Sequence, residues 1–175
     1  WRSVSLATND GLGFCGDNLE IQRITDEVYN LANEVAKAVA VEFPDKLVSV
    51  TNYSRYSGVP SFSLEPNLLA LVTTAFVDSG LPLQVRIKGL KDAGAQVGLY
   101  DYFGVYFWSN GYPEEQFLTK LGNIKMTAAH GGSVFIGEMS QEWGSKGPLL
   151  YVASKLLRDP ELSISDTMRD FYVQA

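Results

Sequence analysis

The chain has 175 residues, enough for one domain with a sizeable core. Nearly half is apolar, about a fifth is charged, and the net charge is −6. No basic face is visible, which argues against nucleic acid as a partner and fits a neutral or weakly charged ligand. The single cysteine, Cys15, excludes an internal disulfide and a cysteine zinc site; the single histidine, His130, excludes a multi-histidine metal site or a serine–histidine triad within the chain. No metal or cofactor is expected. Asp, Glu, Tyr and Cys remain as acid–base and nucleophile candidates.

Arg2 to Thr8 is a β-type run closed by the turn Asn9-Asp10-Gly11. Trp1 leads straight into it, so the chain is expected to be a piece of a longer protein. Gly11, Gly13 and Gly16 form a G-x-G-x-x-G string, but it opens a loop rather than a helix and is a weak nucleotide signal. From Thr25 to Phe43, Val28, Leu31, Val35 and Val39 recur at helical spacing, and Pro44 ends the pattern. Leu47 to Tyr53 reads as a strand and Ser54 to Pro66 as a loop. Leu68 to Phe76 is a nearly continuous apolar run, the mark of a strand buried on both faces.

Pro82 to Ala93 predicts a helix with proline in its first turn, and Gln96 to Tyr102 a fourth strand. Seven aromatic residues crowd Tyr100 to Tyr112, among them Trp108 in a Gly- and Asn-containing loop. Glu114 to Ala129 is helical, with His130 a capping residue at its end. Ser133 to Met139 predicts a fifth strand, followed by helices over Pro148 to Arg158 and Ser163 to Val173. Ser163 and Asp166 have the spacing of a capping box. No apolar run is long enough to cross a membrane.

Strands alternating with helices imply an α/β fold with parallel strands, either an open doubly wound sheet or a barrel. Both place their sites at the C-terminal strand ends. Asp10, Asp101 and Glu138 lie there. Asp10 before Gly11 is also an ordinary turn former, and a structural ion pair, with Arg55 as the nearest cation by strand position, competes for the other two. Paired carboxylates are what glycoside hydrolysis requires, one protonating the leaving oxygen and one attacking or activating water. Asn9, Tyr53, Tyr102, Trp108 and Trp143 are candidate substrate contacts at the same ends.

The runs SVSLATNDGLGFC (Ser3 to Cys15), VTNYS (Val50 to Ser54), EPN (Glu65 to Asn67), LYDYF (Leu99 to Phe103) and Val134 to Tyr172 carry a resemblance. Together they resemble a bacterial family of domains of unknown function, found in large proteins of polysaccharide-degrading bacteria. Its barrel is related to those of alpha-glucuronidases and beta-hexosaminidases. The resemblance implies one domain over residues 1–175, the C-terminal part of a TIM-type (β/α)8 barrel supplying roughly strands 4 to 8. It implies a periplasmic or secreted glycoside hydrolase with Asp10, Asp101 and Glu138 as its acidic centre, completed by the rest of its own barrel. By position it suggests Asp10 as the acid and Asp101 as the nucleophile, with Glu138 a substrate ligand or alternative catalyst. The sequence departs from the family in lacking further cysteines after Cys15, and Asn9-Asp10 stands where hexosaminidases carry Asp-Glu. The alternative reading is a non-catalytic carbohydrate-binding or scaffold barrel.

Overall fold

The computed structural model describes residues 2–6, 8, 14, 20–104, 116–139 and 143–174, the last stretch without the side chains of Trp143 and Gln174. Five strands form one sheet: β1 (Ser3–Ser5), β2 (Leu47–Ser54), β3 (Leu68–Val77), β4 (Gln96–Tyr102) and β5 (Val134–Glu138). Every pairing is parallel, and the spatial order is β1-β2-β3-β4-β5. That order separates the two closures. A doubly wound sheet reverses its order at a switch point, whereas a barrel adds each strand beside the last. No reversal occurs, and the sheet curls into a parallel half-barrel.

The helices are α1 (Ile21–Glu42), α2 (Leu83–Asp92), α3 (Phe117–Ala129), α4 (Trp143–Leu156) and α5 (Ile164–Gln174). Strand residues of one parity face them. Val48 and Val50, Leu68, Ala70 and Val72, and Val97 pack with Ile24, Val28, Tyr29, Ala32 and Ala36 of α1 and with Ile87 and Leu90 of α2. Leu99 and Phe103 join a second cluster with Leu121 and Ile124 of α3 and Leu149, Val152, Ala153 and Leu156 of α4. Each fully buried side chain of this size contributes about 1.5–3 kcal/mol. The opposite parity, including Ser49, Thr51, Tyr53, Tyr100, Tyr102 and Glu138, forms the concave face.

Several local expectations shift. The buried stripe of α1 runs through Ile24, Val28, Ala32 and Ala36, and Leu31 is exposed. Small alanines let the helix approach the sheet, so size rather than hydrophobicity sets the phase. Helix α4 begins five residues before Pro148 and carries it inside. β1 is shorter than the run that suggested it. The Ser163 hydroxyl accepts from the Asp166 amide at 3.3 Å, one half of the expected capping box. His130 caps α3, its Nδ1 lying 2.8 Å from the Met126 carbonyl.

Gly94 turns the chain from α2 into β4 at φ +113°, and a Cβ there would sit 2.7 Å from the Leu64 carbonyl oxygen. Both the dihedral and the space demand glycine. Gly94→Ala is expected to lower stability by about 1–3 kcal/mol, read as a reduced urea midpoint at unchanged slope.

Candidate active site at the C-terminal rim

The rim is shaped by an irregularity between β2 and β3. From Asn52 to Ser54 β2 advances two residues while β3 advances five, from Val72 to Val77. The bulge is held from behind by Arg86, which is buried on α2. Its guanidinium donates to the Thr73 carbonyl at 2.7 Å, to Asn52 Oδ1 at 3.0 Å and to the Leu81 carbonyl at 3.3 Å. Asn52 Nδ2 in turn donates to the Gly58 carbonyl at 2.8 Å and to the Tyr29 hydroxyl and Tyr56 carbonyl at 3.2 Å. Desolvation, partly offset by Tyr29, lowers the Arg86 pKa to about 10, so the group stays charged at neutral pH. Burial also raises the Tyr29 pKa and keeps its phenol protonated.

Two non-glycine residues at these strand ends have left-handed backbones, Ser54 at φ 46° and Phe76 at φ 55°. The Asp78 amide donates to the Ser54 carbonyl at 3.3 Å, and the Ser57 hydroxyl donates to that same carbonyl at 2.6 Å. Strict alternation would send Phe76 into the helix layer with Leu68, Ala70 and Val72. The bulge and the positive φ turn it toward the concave face instead. There its ring meets Tyr53 edge-on at 6.0 Å and Tyr102 edge-on at 5.3 Å. Tyr102 contacts Tyr100 at 5.3 Å, and the Tyr100 hydroxyl donates to Glu138 Oε2 at 3.2 Å. An aromatic ladder thus crosses from β2 to β5 and ends on a carboxylate. Desolvation first, and then the charge and hydrogen bond of Glu138, raise the Tyr100 pKa.

The structure does not bring Asp101 and Glu138 together. Glu138 pairs in register with Tyr102, and Asp101 with Gly137, so the two acids occupy opposite faces of the sheet. Asp101 is fully buried on the helix side. Its Oδ1 accepts from the Thr74 hydroxyl at 2.7 Å and the Tyr102 amide at 2.8 Å, and lies 3.4 Å from Lys120 Nζ. Among the described residues its Oδ2 has no hydrogen-bond partner. Its cation is therefore Lys120 of α3 rather than Arg55. Lys120 also donates to the Tyr102 carbonyl at 2.6 Å, and buried Lys146 donates to the Phe103 carbonyl at 2.6 Å. The Phe103 and Gly104 amides then donate to the Glu138 carbonyl at 2.8 and 3.0 Å. This cluster fixes the end of β4 against the end of β5.

Of the remaining expected contacts, Tyr53 and Tyr102 share the concave face through Phe76. Asn9, Asp10, Trp108 and the side chain of Trp143 lie outside the described residues. Sequence reasoning left out three rim residues: Phe76, Tyr100 as the partner of Glu138, and Asp78, which is exposed just past β3 and accepts from the Ser54 hydroxyl at 3.5 Å. The string Asp78-Ser79-Gly80 after the apolar run is a turn signal that could have pointed to Asp78, but the bulge that carries Phe76 around has no sequence signature. Among the described residues no three His, Cys, Asp or Glu side chains gather to hold a metal ion. None of the helices there is long and apolar enough to cross a membrane.

Fold and rim together define a parallel α/β half-barrel domain with a polar and aromatic C-terminal edge. Residues 3–175 match DUF4838, a domain of unknown function, and the chain belongs to that family. No curated protein and no solved structure matches it.

Lys120→Met is expected to lower stability by about 3–5 kcal/mol, because it strands a buried carboxylate. Adding Asp101→Asn should recover part of that loss in a denaturant double-mutant cycle. Glu138→Gln removes the negative charge that helps raise Tyr100, so the Tyr100 pKa should fall toward the ordinary value of about 10 in a tyrosinate absorbance titration. The stability tied to Tyr100 is fully present below its unfolded pKa and is lost as pH rises through its raised folded pKa. The variant should shrink that alkaline loss.

Proposed function

We propose that this chain is a glycoside-hydrolase-like carbohydrate-active domain, cleaving glycosidic bonds of a polysaccharide or oligosaccharide at the C-terminal rim. In this reading the five strands are strands 4 to 8 of a TIM-type (β/α)8 barrel. The observation that carries it is Glu138, a carboxylate on the concave face at a C-terminal strand end, hydrogen-bonded to Tyr100 at 3.2 Å and continuous with aromatic rings. A sugar needs that combination: rings for its apolar C–H face and carboxylates for its glycosidic oxygen and water. Tyr100 donates to Glu138 Oε2 as a neutral phenol, and its pKa is raised first by desolvation and then by the charge and hydrogen bond of Glu138.

Glycoside hydrolysis takes a second carboxyl group. Asp10, at the turn after the first strand, is the partner expected from the sequence, and Asp78 at the end of β3 is the one the rim adds. Only β4 separates β3 from β5 in the sheet, so both strand ends lie on one rim. Asp101, turned into the helix layer, acts in this reading as a positioning residue. It anchors Tyr102 through the backbone and Lys120 through charge.

The second reading is a non-catalytic carbohydrate-binding barrel. It is favoured by the ion pair of Asp101 with Lys120, which removes one of the expected acids from the concave face. The two readings part on one experiment. The full-length protein is screened against a glycan panel for binding and for new reducing ends. Hydrolysis is expected, and Glu138→Gln should reduce turnover at least about 100-fold with binding retained. Unchanged turnover in Glu138→Gln sinks the catalytic assignment, and binding without any turnover in the wild type selects the second reading.

A further inference from the structure

Phe76 is not where strand alternation would put it. It is 43% exposed although residues 68–73 of its strand are buried, and its backbone adopts φ 55°, a conformation bulky residues avoid. The surroundings enforce that geometry. Ser54, itself left-handed, pairs in register with Val77 and accepts from the Asp78 amide at 3.3 Å. Ser57 and Ser79 exchange two hydrogen bonds of 3.0 Å beside it, tying the ends of β2 and β3 together. Strain of this kind persists where a site uses the side chain it re-aims. What is re-aimed is a flat apolar surface, flanked by the rings of Tyr53 and Tyr102 and opening on the concave side.

We propose that Phe76 is the stacking platform of a sugar subsite on the β2–β3 side of Glu138. This rests on the carbohydrate reading above and narrows it. Platform and carboxylate end strands separated by β4 alone, with the Tyr102 ring between them, 5.3 Å from that of Phe76 and in register with Glu138. The platform lies on one side of the Tyr102 ring and Tyr100 with Glu138 on the other, an extended arrangement that suits an oligosaccharide rather than a monosaccharide. The apolar C–H face of one ring lies on Phe76 while a second ring reaches Tyr100 and Glu138.

The test is calorimetric titration of the full-length protein with cellohexaose, xylohexaose, mannohexaose and maltohexaose, and with the matching monosaccharides. Phe76→Ala should weaken the hexasaccharide that binds by about fivefold or more, and Phe76→Trp should restore it. Phe76→Gly, which relieves the backbone strain, should lose the same affinity without a lower melting temperature. Wild-type affinity in Phe76→Ala and Phe76→Gly overturns the subsite and leaves the carbohydrate reading standing. So does a loss that tracks melting alone. A wild-type protein that binds none of the four hexasaccharides overturns the carbohydrate reading, and the subsite with it.

Discussion

The guanidinium of Arg86 is a charge taken out of water, and it has no carboxylate beside it among the described residues. Such a group is tolerated only if its donors all find acceptors, since the desolvation penalty amounts to several kcal/mol. Its acceptors are the Thr73 carbonyl, the Asn52 amide oxygen and the Leu81 carbonyl, drawn from β3, β2 and the turn into α2. Satisfying Arg86 therefore means holding the strand irregularity in place. The irregularity in turn carries Phe76 to the concave side and sets it between two tyrosines. One buried cation behind the sheet thus determines what the front of the sheet presents.

The end of β4 works on a second constraint, the two-residue period of a strand. Tyr100 and Tyr102 face the open side, and Asp101 between them faces the helices. Each face is then completed differently. On the helix side a carboxylate, two lysines and a hydroxyl form a fixed polar cluster around the chain ends. On the concave side a phenol steadies a glutamate and rings stack beside it. The glutamate's backbone carbonyl receives two amides from the segment that the lysines hold. The helix-side cluster thus positions the concave-face residues through their backbones.

Much of the architecture was legible in the sequence. Strand β4 has the residues expected of it, β2 and β3 each run one residue further, and the strand–helix alternation correctly implied parallel pairing. Apolar runs bounded by Gly and Pro are strong signals because burial and chain breaking act locally. The site was less legible, for reasons that differ residue by residue. Asp101 was placed at a strand end correctly, but its face depends on which parity meets the helices, and Leu99 beside it is apolar on a buried face. Glu138 was placed at a C-terminal strand end because that strand is regular. Phe76 was hidden by the bulge, which breaks the alternation such reasoning relies on. Lys120 and Arg86 were invisible as partners, since each reaches its acceptors across elements distant in sequence.

The strand order has a consequence for how the molecule assembles. Each strand's neighbours in space are its neighbours along the chain, from β1 through β5. Among the described residues every crossover links consecutive strands. Folding rates fall as contacts become more remote in sequence, so this arrangement keeps an all-parallel sheet from being as slow as its pairing type alone would make it. The sheet can thus grow strand by strand along the chain, each new strand pairing with the one before it.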